Sequence, residues 1–80
     1  MQIGCGVRTL RIKNRDYLYF WHYEKQDGRR RAIHEYMGPV RDPSSARKAV
    51  EALEVYTRKA MEEARRRLLS EKAHAFAASR

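Results

Sequence analysis

Apolar and polar residues alternate in the first half of the chain and recur three and four apart in the second. VRTLRI (7–12) alternates, with Leu10 and Ile12 on one side, and predicts a strand. KNRD (13–16) supplies turn residues. YLYFWHYE (17–24) is dense in rings and is the strongest strand signal in the chain. KQDG (25–28) contains Asp27-Gly28, a pair suited to a two-residue type I′ hairpin turn. RRRAIHEYM (29–37) predicts a third strand. Gly38-Pro39 should end it, because proline has no N–H to give a ladder.

After GPVRDPSS (38–45) the pattern changes to helical spacing. Asp42 suits an N-cap, and Pro43 suits the first helical position, where its missing N–H costs nothing. Ala46, Ala49, Val50, Leu53, Ala60, Ala64 and Leu68 form one apolar stripe. Glu54–Arg58, Glu62–Arg66 and Glu63–Arg67 are i,i+4 pairs in the favoured order, worth roughly 0.3 kcal/mol each. The predicted fold is α+β, a three-stranded antiparallel sheet (7–37) packed on one long C-terminal helix (43–72) in a single domain. Residues 73–80 form a tail that either extends the helix or frays. A helix of that length outreaches strands of about 20–30 Å, so it should overhang the sheet.

The Asp27-Gly28 turn sets a register. It places Glu24 opposite Arg31, His22 opposite Ile33, Phe20 opposite Glu35 and Leu18 opposite Met37 on one face. The other face pairs Tyr23 with Ala32, Trp21 with His34 and Tyr19 with Tyr36, and puts Arg30 opposite Lys25. Leu18, Phe20, Ile33 and Met37 make the first face the better partner for the helix. Rings with polar tips can stay wet, so the second face is expected to remain open. The competing arrangement buries the Tyr/Trp face and opens the Leu/Phe face.

Charge sharpens this picture. Eighteen Lys and Arg against ten Asp and Glu give the 80-residue chain a net charge of +8, which favours a polyanionic partner. The single cysteine, Cys5, excludes an internal disulfide and a Cys-based zinc site, and His22, His34 and His74 lack metal-ligand spacing. No metal or other cofactor is expected. No stretch approaches the roughly 18 apolar residues that cross a membrane, and MQIGCGV does not read as a signal peptide, so a cytoplasmic protein is expected. The chain carries no phosphate loop, paired-carboxylate signature or Cys–His pair with a third member, which argues against an enzyme.

The candidate nucleic-acid-binding residues follow from charge and face. They are Arg29, Arg30, Arg31 and Lys25 at the hairpin end, and Tyr19, Trp21, Tyr23, His34 and Tyr36 on the ring-bearing face. Arg8, Arg11, Lys13 and Arg15 on the first strand and its turn complete the set. Arginine forks pair with phosphate oxygens or guanine edges, tyrosine hydroxyls bond phosphate, and rings stack on unpaired bases. Arg65, Arg66 and Arg67 read as a solvated helix face.

Three antiparallel strands followed by a helix resemble the amino-terminal arm-binding domain of tyrosine integrases and its plant transcription-factor relatives. YLYFWHYEKQDGRRRAIHEYMGP is similar to the aromatic strand, Gly turn, basic strand and Tyr-x-Gly-Pro pattern of small proteins and transposase amino termini from archaeal mobile elements. The resemblance covers residues 7 to about 60. It implies a sheet that enters the major groove with the helix bracing it from behind, and DNA contact by Arg29, Arg31 and the exposed residues of 17–23 and 30–36. The helix is longer than such a domain needs, and no recombinase catalytic domain follows. The expectation is a free-standing double-stranded DNA-binding protein acting as a regulator or accessory factor, with the helix available for a homodimer. RNA or the ribosome is the alternative partner, and a module that binds another protein through its helix is a third class.

Overall fold

The computed structural model describes residues 4–79; Met1 to Ile3, at the head of the MQIGCGV segment, and Arg80, the last residue of the tail, lie outside them. Three strands, β1 (Cys5–Ile12), β2 (Arg15–Gln26) and β3 (Arg29–Pro39), precede one helix, α1 (Pro43–Ala78). The strands form a single antiparallel sheet in the order β1-β2-β3. The α+β architecture is the predicted one.

Both hairpins close with two residues at positive φ. Asp27 and Gly28 sit at 52° and 75°, the type I′ signature expected from the sequence. Lys13 and Asn14 sit at 51° and 63°, so the first turn is as tight as the second, and β2 begins at Arg15 rather than Tyr17. The register of β2 with β3 runs as predicted from Glu24 and Arg31 to Tyr19 and Tyr36. It then shifts: Leu18 faces Gly38, not Met37, because an irregularity between Leu18 and Tyr19 slips the pairing by one residue. Pro39 does not end the ladder early either. It pairs with Tyr17 as the last residue of β3, an edge strand where its missing N–H is tolerated.

The helix starts where the sequence places it. Asp42 is extended, at φ −89° and ψ 117°, and its carboxylate accepts a hydrogen bond from the Ser44 N–H at 2.9 Å. Gly38, at φ 131°, lies directly against the Ser45 side chain, and this close approach seats the first turn on the end of β3. The helix then runs unbroken to Ala78, so residues 73–78 of the tail extend it.

The helix covers one face of the sheet along a line that begins at Ser45. Phe20, His22, Ser45 and Ala49 form the buried centre. Tyr56 packs edge-on to Phe20 and tilted on His22, at centroid distances of 6.1 and 5.1 Å, and donates a hydrogen bond to the Tyr23 carbonyl at 2.9 Å. Cys5 approaches Thr57 at 3.9 Å. The predicted stripe is thus only partly the packed one: Ala49 is buried, whereas Ala46, Val50 and Leu68 are exposed. The sheet instead takes Ser45, Ala49 and Tyr56, a line turned round the helix from the stripe, because the ring at 56 packs on the stacked rings of Phe20 and His22. Of the predicted ion pairs, Glu54–Arg58 (3.8 Å) and Glu62–Arg66 (3.6 Å) are closed.

Two outcomes are expected from this local chemistry. Gly38→Ala should cost about 2 kcal/mol in thermal or denaturant unfolding, since an L side chain at this φ is strained and its Cβ would strike Ser45. The Asp42 carboxyl is held below its ordinary value of 3.8, first by the Ser44 backbone N–H, then by the Ser44 side chain, with Lys48 and Arg47 nearby. A carboxyl with a lowered folded pKa stabilises above its unfolded value and loses that effect as pH falls through the folded value. The melting temperature of Asp42→Ala should therefore lie below that of the parent above pH 3.8, and the gap should narrow at lower pH.

Candidate nucleic-acid interface

Direct cross-strand partners share a face, so the register sorts every strand side chain. The face toward α1 carries Cys5, Val7, Thr9 and Arg11 on β1, the even residues from Asp16 to Gln26 on β2, and Arg29, Arg31, Ile33 and Glu35 on β3. The opposite face carries Arg8, Leu10 and Ile12 on β1, and Arg15, Tyr17, Tyr19, Trp21, Tyr23 and Lys25 on β2. Arg30, Ala32, His34 and Tyr36 complete it on β3. The helix does not reach this second face. Of the two arrangements open at the sequence level, the Phe20 side is the one that α1 covers.

Ring geometry on the open face follows from what lies beneath it. Gly6 on β1 and Gly4 just before it carry no side chains, and the rings of Trp21 and Tyr23 lie over them, so close that a Cβ on either glycine would collide with the ring above it. Trp21 and Tyr23 meet edge to face at 5.4 Å. At the other end Tyr36 contacts Tyr17 and Tyr19, with centroids 5.9 and 5.6 Å apart. Arg30 lies over the Tyr23 ring at 4.6 Å, a cation–π contact that holds its guanidinium on the open face. The rings form two clusters, Tyr17–Tyr19–Tyr36 and Trp21–Tyr23, with Arg8, Arg15, Lys25 and Arg30 on the same face.

The two faces differ in charge as well as in cover. Among the described strand residues every carboxylate, Asp16, Glu24 and Glu35, points to the helix side, and the open face has none. Asp27 sits in the hairpin turn. On the helix side the carboxylates have local partners. Glu35 and Glu24 flank buried His22, Nε2 at 3.4 Å from Glu35 and Nδ1 at 3.8 Å from Glu24, and Glu24 also faces Arg31 across the hairpin.

This placement divides the residues predicted from the sequence. Arg8, Arg15, Tyr19, Trp21, Tyr23, Lys25, Arg30, His34 and Tyr36 come together on the open face, and Lys13 stands in the turn at its edge. Arg11, Arg29 and Arg31 fall on the helix side, although Arg29 borders the hairpin tip. Three successive arginines cannot share a strand face, so RRR divides two to one. Tyr17, Leu10 and Ile12 belong to the open face but are missing from the predicted set. Parity from the Asp27-Gly28 turn already puts Tyr17 on that face, and recognising Lys13-Asn14 as a tight two-residue turn adds Leu10 and Ile12.

Among the described residues no group of three or more His, Cys, Asp or Glu is arranged to hold a metal ion, and no helix is long and apolar enough to cross a membrane. Comparisons with protein-family models, with curated proteins and with solved structures find no match to this chain.

Trp21 is the only tryptophan, so its environment is directly readable. Gly6→Val should push the indole off β1, which is expected to red-shift its emission and lower the melting temperature while the far-ultraviolet helix signal persists below the transition.

Proposed function

We propose that this chain is a double-stranded DNA-binding protein, a regulator or accessory factor that lays the open face of its sheet into the major groove. One observation carries the reading: the only sheet face left uncovered by α1 is also free of carboxylates and bears Arg8, Arg15, Lys25 and Arg30 around its rings. A net charge of +8 adds a long-range attraction to any polyphosphate.

Dimensions favour a duplex. The outer strands of a three-stranded sheet lie about 10 Å apart. A B-form major groove is about 12 Å wide and admits a small β-structure. Tyr23, Tyr19 and Trp21 are held down by their own neighbours rather than splayed out, which suits contact with groove walls and phosphates better than insertion between bases. In this reading Arg30 and Lys25 act at one end of the groove, and Arg8 and Arg15 contact the strand at the other. His34 and Tyr36 face base edges, with Lys13 and Arg29 serving as flanking phosphate contacts. Arg11 and Arg31 brace the back of the sheet.

Titration of Trp21 fluorescence with duplex DNA, single strands and duplex RNA of the same sequence tests the proposal. Duplex DNA should bind tightest, with a log–log salt slope of about −0.9 per phosphate neutralised. Changing Lys25 and Arg30 together to alanine should weaken binding by about tenfold at low salt and reduce the slope by about two. The paired change of Arg11 and Arg31 to alanine should leave both within about twofold. Equal loss from the two pairs would place the ligand elsewhere, and RNA binding at least as tight as duplex DNA would assign the face to RNA.

A further inference from the structure

The sheet uses the wrong side of the helix to account for its hydrophobic pattern. Ser45, Ala49 and Tyr56 face the strands, yet the fuller apolar line runs through Ala46, Val50, Leu53, Ala60, Met61, Ala64, Leu68 and Ala75. At about 100° per residue that line lies roughly a quarter turn from the sheet-facing one. It is largely uncovered: Val50 is 50% exposed, Met61 60% and Leu68 56%, and Phe76, at 74%, lies more than a quarter turn further round. Next to it Val7 on β1 is also open. Small proteins seldom leave an apolar line of this length to water.

The line has two halves of similar length. Ala46 to Thr57 runs beside the sheet. Ala60 to Ala75 follows the turn in which Tyr56 and Thr57 reach Tyr23 and Cys5 of the sheet, on the part of the helix that outruns the strands. The midpoint falls at Ala60–Met61, and a small residue there permits close approach of two helices. Charges beside the line are ordered to match. About that midpoint a two-fold axis sets Glu54 of one copy within a turn of Arg65 of the other, twice, and Lys72 within a turn of Glu51. A parallel, in-register pair would instead juxtapose Arg67 and Lys72 across the seam. Apolar partners match under the antiparallel operation as well, with Leu53 against Leu68 and Ala46 against Ala75.

We propose that this chain forms an antiparallel homodimer through α1, the overhanging half of each helix covering the uncovered line beside the sheet of the other. The length of the helix is then explained, because each copy supplies the cover that the other lacks. An antiparallel pair has its two-fold axis normal to the plane of the two helices. Each sheet sits a quarter turn from the seam, so both open faces end on the same side of the dimer. The pairing itself does not depend on what those faces bind.

Sedimentation equilibrium of the full chain without nucleic acid, across micromolar concentrations, is the test. The parent should be dimeric, and Leu68→Asp should dissociate at least about tenfold more readily. Leu68 is exposed and clear of the sheet, so unchanged circular dichroism and Trp21 emission should show that the variant folds. Glu54→Arg and Arg65→Glu should each weaken the dimer, and the double exchange should restore it. In a Cys5→Ser background, mixing Glu54→Cys chains with Arg65→Cys chains should give a mixed disulfide on oxidation. A parent that stays monomeric, a Leu68→Asp dimer of parental strength, or disulfides formed only between identical chains would each overturn the proposal.

Discussion

The contact of Tyr56 with Phe20 and His22 decides the orientation of everything else. It places the even residues of β2 against the helix and thereby turns the odd residues outward. Because strand side chains alternate, this one choice sends Tyr17, Tyr19, Trp21, Tyr23 and Lys25 to the open side together. The buried centre behind it is small, consisting chiefly of Phe20, His22, Ser45 and Ala49. A single helix cannot cover both sides of a sheet, and here the uncovered side is the one whose side chains tolerate water.

Polar chemistry follows the same division. His22 occupies the covered side and is flanked by Glu24 and Glu35, which places negative charge behind the sheet. Cations are found on both sides, but only in front do they stand without carboxylates between them. The front therefore presents a coherent positive field, whereas behind it opposite charges alternate at short range and largely cancel at a distance. This segregation rests on strand parity, and a one-residue slip in either hairpin would mix the signs.

Much of this was legible in the sequence. The strand alternation, the Asp27-Gly28 turn and the Asp42-Pro43 start are local signals with local causes, and each stands where the pattern put it. The face assignment was legible too, because Leu18, Phe20 and Ile33 have no polar atoms to satisfy, whereas Tyr and Trp do. Less visible were features set by contacts distant along the chain. The slip at Leu18 depends on how Gly38 must meet Ser45. The packed line of the helix depends on Tyr56 meeting the stacked rings of Phe20 and His22, which helical periodicity ranks below the Val50–Leu53–Leu68 line. Arg11, Arg29 and Arg31 enter the candidate set as parts of a basic hairpin end and first strand rather than by face, and strand alternation, which already sets Arg31 opposite Glu24, sends all three to the helix side.

The second hairpin has a further property. The Tyr23 N–H bonds the Gly4 carbonyl, and from there Glu24 pairs with Arg31, Lys25 with Arg30 and Gln26 with Arg29 up to the turn. That turn holds Asp27 and Gly28 at positive φ, and Lys25 and Arg30 are direct partners on the open face just behind it. These two cations therefore travel together, as one doubly charged tip, whenever the hairpin is displaced.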